Sequence, residues 1–171
     1  MIYRRLLVSS DMSLADLHYA IQIAMGWEDF HLHRFSIHGK VYGNEDANYI
    51  VRYDAPGKPT LGDFAFEQGE RFLYEYDFIN WWQHEVRVEK ILPFDAKKGY
   101  PVCIGGKRAC PPEDCGGPWD YQELLHTRWN PFHNGGLYAA PRILGTRFDP
   151  ERFDRKQVNV QLRQRFHPAV R

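Results

Sequence analysis

Phe72-Leu73-Tyr74-Glu75-Tyr76-Asp77-Phe78 and, five residues later, His84-Glu85-Val86-Arg87-Val88-Glu89-Lys90-Ile91-Leu92 point to the fold class. In the first run Phe72, Tyr74, Tyr76 and Phe78 alternate with Leu73, Glu75 and Asp77. In the second, Val86 and Val88 alternate with Glu85, Arg87 and Glu89. A period of two puts alternate side chains on opposite faces of a strand, so the pair reads as an antiparallel hairpin with one apolar face. Setting Phe78 opposite His84 brings Tyr76 to Val86 and Tyr74 to Val88. The other face then pairs Glu75 with Arg87 and sets Asp77 against Glu85, a like-charge contact that a cation, a proton or solvent must relieve.

Working outward, the N-terminal part reads as strand, helix and strand. Ile2–Ser9 is a short strand. Ser13 is placed as a helix N-cap with Asp16 in the capping-box position. Leu14, Leu17, Ile21 and Met25 then fall on one helical face, and Gly26 supplies a left-handed stop. In the segment that follows, His31, His33, Phe35 and Ile37 share a strand face. Asn44–Asp63, with Pro56, Gly57, Pro59 and Gly62, reads mostly as loop. Beyond the hairpin, Pro93–Gly117 reads as a long ordered loop. Pro118 is placed at the first position of a helix reaching about Arg128. Phe148-Asp149-Pro150-Glu151 gives a further cap-and-start signal, and Asp154 caps a last helix running to about Arg165. The expected architecture is a single α+β domain over residues 1–171: a mostly antiparallel sheet, packed helices and a long Cys/Pro/Gly loop.

Composition bounds the function. The 171 residues are 43% hydrophobic and 15% aromatic, with a formal net charge of zero. That is enough for a globular core and argues against disorder. A neutral balance gives no general pull toward nucleic acid or membrane surfaces. No apolar run approaches the roughly 20 residues that span a bilayer, and the opening residues are too short and polar for a secretory signal. A cytoplasmic setting is expected, and three cysteines that cannot all pair within one chain agree with reduced thiols.

Four motifs, in this order, carry a resemblance: RRLLVSSDMSLADLHYAIQIAMGWEDFHLHRF, then YEYDF with the following Trp-x-His-Glu-Val-x-Val-Glu-Lys-Ile, then CIGGKRACPPEDCGGPWDYQELL, then FDPERFD with a Val-Asn pair. Together they resemble the plasmid pRiA4b ORF-3-like proteins over nearly the whole chain. The resemblance implies an α+β fold with a mostly antiparallel sheet. It brings no established biochemical activity, and some members bear resolvase-like labels from mobile elements. Two departures stand out. The family usually has a strand before the segment matching Ile2–Arg5, so either the start lies upstream or a sheet edge is bare and open to pairing. The family also usually reads Tyr-Asp-Phe-Gly-Asp, where this chain has Ile79 and Asn80 in place of the Gly and the acid.

The residues support several chemistries. Val8-Ser9-Ser10 faintly resembles the nucleophile segment of serine recombinases, but the arginine adjacency that chemistry needs is missing. Cys103, Cys110 and Cys115 are spaced C-x6-C-x4-C, without the close cysteine pair of a zinc knuckle. A zinc site from these thiols with His31, His33 or His84 is therefore a tertiary matter, weighed against thiols and histidines that simply pack in the core. Asp77, His84, Glu113 and Asp114 supply a base and oxygen ligands for a metal-dependent hydrolase, if they converge. Residues 142–171 carry eight Lys/Arg against three Asp/Glu. Arg152, Arg155, Lys156, Arg163 and Arg165 give the last helix a basic face suited to DNA or to solvent. Trp81-Trp82 in the hairpin loop marks either a partner surface or a fold-back onto the sheet. The leading expectation is a binding or interaction module with an unidentified protein partner or ligand; its link to plasmids or mobile elements is what the resemblance alone implies. A metal-dependent hydrolase and a DNA-binding protein are the alternatives, and oligomeric state is open.

Overall fold

The computed structural model describes residues 1–43, 50–52, 58–129 and 148–168. Of residues 50–52 and 127–129 it describes the backbone alone. The elements are β1 (Tyr3–Leu7), α1 (Leu14–Met25), β2 (His33–Ile37), β3 (Lys40–Gly43), β4 (Ile50–Arg52), a 3-10 turn (Leu61–Phe64), β5 (Arg71–Tyr76), β6 (Trp82–Arg87), β7 (Val102–Lys107), α2 (Gly117–Trp129) and α3 (Arg155–Phe166). Five strands form one sheet in the order β4-β3-β2-β5-β6, and β1 pairs with β7 in a second. All pairings are antiparallel except β3 with β4. The fold is α+β.

Local chemistry sets α1 as the sequence predicts. Ser13 Oγ accepts from Asp16 N, and Gly26 closes the helix at φ 81°. Such a cap contributes about 1 kcal/mol. Leu14, Leu17 and Ile21 enter one core with Phe35, Ile37, Phe72, Tyr74 and Tyr76 of the large sheet. Ala20 and Ala24 face the other way and meet Cys103, Val158 and Leu162. Thus α1 is the shared layer between the five-stranded sheet on one side and β7 with α3 on the other. The small alanines let α3 come close.

The hairpin has a different register. Tyr76 faces Trp82, Tyr74 faces His84 and Phe72 faces Val86. The loop is 77–81 rather than 79–83, because Asp77 turns the chain. Its φ is 57°, and its carboxylate accepts from Ile79 N, Asn80 N and Asn80 Nδ2. The slip is even-numbered, so the apolar face survives. The expected Asp77–Glu85 clash does not exist: Leu73 lies opposite Glu85, and Glu75 opposite Gln83. Glu75 meets Arg34 at 2.6 Å instead of Arg87. The two tryptophans divide, with Trp82 buried and Trp81 44% exposed.

One loop expectation is corrected. The run 93–117 holds β7, whose Gly105-Gly106 looks like a turn but lies in a strand. The register against β1 shifts between Arg5 and Leu6, so Ile104 is the extra residue of a bulge. A Cβ on Gly106 would sit 2.3 Å from the Phe153 ring. That glycine is there for close packing. Within the expected 44–63 loop lie β4 and the 3-10 turn; residues 44–49 and 53–57 of it fall outside the described residues. Asp149 Oδ1 accepts from Glu151 N in a turn that starts no helix; the last helix begins at Asp154, whose side chain accepts from Gln157 N. Among the described residues no helix is long and apolar enough to cross a membrane.

Candidate functional site

Among the described residues, chemistry gathers at one end of the large sheet, in a buried group behind it, and along a groove. The first lies where the segment before β2, the β5–β6 turn and residues 110–117 meet at one end of the large sheet. Trp27 anchors it. Its ring is buried, stacks on Tyr76 at 5.0 Å, and its Nε1 donates to Pro111 O. That bond docks the Pro-Pro turn on the sheet. Glu113 then reaches across. Its carboxylate accepts from Glu28 N at 2.7 Å and Phe30 N at 3.3 Å, and from the Tyr76 hydroxyl. Burial, then the bond to Glu113, pushes the Tyr76 phenol upward, so it stays a donor. The Glu113 side chain thus accepts from two backbone N–H groups and a phenol.

His31 sits beside this cap. Its Nε2 is 3.1 Å from Asp114 Oδ1 and its Nδ1 is 3.8 Å from Asp77 Oδ1. The structure therefore brings His31, Asp77, Glu113 and Asp114 to one end of the sheet. Asp77 is 1% exposed and occupied by its own turn. His84 makes different contacts. It packs edge-on to Trp27 at 5.3 Å and against Tyr74 at 5.4 Å, and has no hydrogen bond or ion pair with those carboxylates. Burial lowers its pKa to about 4, and its Nδ1 lacks a hydrogen-bond partner among the described residues.

His33 lies deeper, in a group whose other members the sequence reading passed over. Its ring stacks on His18 with centroids 3.4 Å apart and planes within 4°. His18 Nδ1 meets the Tyr74 hydroxyl at 2.8 Å, and Nε2 meets Asp29 Oδ1 at 2.9 Å. Gln22 closes the circle, donating to Tyr74 Oη and accepting from Asp29 N. Burial pushes His18 down to about 3; burial and then His18 push His33 to about 2. Both rings are neutral at ordinary pH. The available signal was a titratable residue beside Leu14, Leu17 and Ile21 on the buried side of α1.

The thiols do not meet as a trio. Cys103 belongs to the α1–α3–β7 core, whereas Cys110 and Cys115 pack with the larger one. Cys110 Sγ lies 3.6 Å from Met25 Sδ. Burial raises all three, Cys110 to about 12 and Cys115 to about 11, so they hold their protons.

The third place is an open groove between α3 and β7, lined by Val102, Cys103 and Ile104 on the strand and by Arg155, Lys156, Asn159, Val160 and Arg163 on the helix. Asn159 fixes the floor: it accepts from Cys103 N at 2.8 Å and donates to Cys103 O at 2.9 Å. Arg155 donates to Ile104 O. Helix α3 contains no acidic residue, and its buried stripe is only Val158 and Leu162. Among the described residues no carboxylate pairs with Lys156 or Arg163. Arg165 lies over the Tyr19 ring at 4.3 Å.

The sequence pattern of the plasmid pRiA4b ORF-3-like proteins matches residues 1–157. The uncharacterized protein y4hQ of Sinorhizobium fredii is 33% identical over 133 residues, covering 77% of this chain and 68% of that protein. The crystal structure of MM3350, a protein of unknown function from Methanosarcina mazei, superposes with a TM-score of 0.79 at 39% identity. It covers 91% of this chain and 88% of that one.

Proposed function

The chain belongs to the plasmid pRiA4b ORF-3-like protein family, and from that premise we propose that it is a DNA-binding module that holds the phosphate backbone in the groove between α3 and β7. The observation that carries this reading is the segregation of charge. A chain of zero net charge places Arg155, Lys156 and Arg163 around one groove, on a helix free of acids. Arg155, Asn159 and Arg163 recur every four residues, so they lie along one helical face. Arg155 and Arg163 are about 12 Å apart along the axis at 1.5 Å per residue, enough to engage separate phosphates. Arg155 is held by a backbone carbonyl and Asn159 by Cys103, which pre-organises the surface. The contacts are to backbone phosphate, so binding is expected to depend weakly on sequence. The plasmid association in the family name supports DNA as the polyanion.

Fluorescence anisotropy with a labelled duplex tests this. Arg155→Gln with Arg163→Gln is expected to weaken binding about tenfold or more at fixed salt while leaving the fold intact. Equal affinity of parent and double variant would remove the groove from the account. Among the described residues His84 makes no hydrogen bond or ion pair to Asp77, Glu113 or Asp114, the carboxylates of the hydrolase reading.

A further inference from the structure

The strongest unassigned chemistry is the buried group on α1 and β2. We propose that His18, His33 and Asp29 form a binding site for one divalent transition-metal ion of the zinc class. One ligand atom from each lies within 4.8 Å of the others. Two imidazoles and a carboxylate are a donor set suited to zinc or ferrous iron, and three protein ligands leave a position for water.

Two features support it. His18 is oriented from behind by Tyr74, itself fixed by Gln22, the kind of outer support that holds ligating histidines. The Asp29 side chain is 33% exposed, which gives an ion a way in, while His18 is 1% exposed.

Binding needs two adjustments. The proton between His18 Nε2 and Asp29 must leave that position. It moves to Nδ1, where Tyr74 Oη accepts it, so His18 changes tautomer without changing charge. The two parallel rings must also stop being parallel, because an ion lies in the plane of each imidazole that binds it. One ring therefore turns out of the stack.

Cobalt(II) titration of the full chain reads the site directly. The expected result is one saturable ion with the visible bands of a four- or five-coordinate centre and no thiolate charge-transfer band. Asp29→Asn is the first variant, since asparagine tolerates the left-handed backbone at this position (φ 62°). It should weaken cobalt binding about tenfold or more with an unchanged far-ultraviolet spectrum, and His18→Gln should do the same. Should His18→Gln fail to fold, Asp29→Asn still decides. Absence of saturable binding overturns the proposal. So does a thiolate band lost on Cys110→Ser, or affinity indifferent to Asp29→Asn. None of these results depends on DNA binding, so the two readings stand or fall separately.

Discussion

The aromatic end of the large sheet and the α3–β7 groove treat polar groups in opposite ways. At the sheet end, partners are supplied from within the molecule. Glu113 holds two backbone N–H groups and Tyr76, Asp77 holds its own turn, and His18 is gripped at both nitrogens. On α3, Lys156 and Arg163 face outward with no carboxylate to meet them among the described residues. Internally satisfied groups fix a shape. Charges left to solvent remain available to a partner. The difference separates groups partnered inside the molecule from the charges we assign to DNA binding.

Removing the keystone of the sheet end breaks the comparison most severely. Trp27→Ala deletes the ring that packs on Tyr76, Trp82 and His84 and the donor to Pro111 O. A loss of about 3–5 kcal/mol in denaturant unfolding is expected. The folded fraction should still bind DNA, since the groove lies on the other side of α1.

Acid tests the same region. His84 is held near pKa 4 when folded, against about 6.5 unfolded. Below pH 6.5 the unfolded chain takes up a proton that the folded one refuses. Stability therefore falls as pH drops from about 6.5 to 4, by roughly 3 kcal/mol for this group. His18 and His33, held lower still, contribute over the same window, so His84→Phe should lessen the fall by about a third in urea melts at several pH values; an unaltered profile would show that His84 contributes nothing to it.

Gly106→Ala sharpens the comparison from the other side. The new methyl would lie 2.3 Å from Phe153, so α3 must shift or the ring must move, at about 1–3 kcal/mol. Thermal melts give the stability change. Weakened DNA binding in the folded variant would show that the groove depends on the seating of α3. Smallest in stability is Arg163→Gln, expected within about 0.5 kcal/mol of the parent yet weaker in DNA binding.

These elements also show what a sequence can reveal. The α1 boundaries were legible because Ser13 and Gly26 act through local backbone geometry. The hairpin was legible as to face and illegible as to register, since Asp77 turns the chain through bonds to Ile79 and Asn80 that alternation does not encode. β7 was hidden because Gly105-Gly106 has the composition of a turn, and its reason, the Phe153 ring, is distant in sequence. The same holds for the site. The basic residues of α3 could be counted along the chain, whereas His18 and Asp29 join His33 only through packing of α1 on the sheet. His84 and the carboxylates looked like partners on paper and lie in different contacts in the fold.

The salt dependence of duplex binding tests the central claim most directly. Three phosphate contacts from Arg155, Lys156 and Arg163 predict a slope of log K against log salt of about −2.7. Replacing all three with glutamine should bring it close to zero, and Arg163→Gln alone should reduce it by about one. A parent protein that does not bind, or a slope unchanged in the triple variant, would contradict the account.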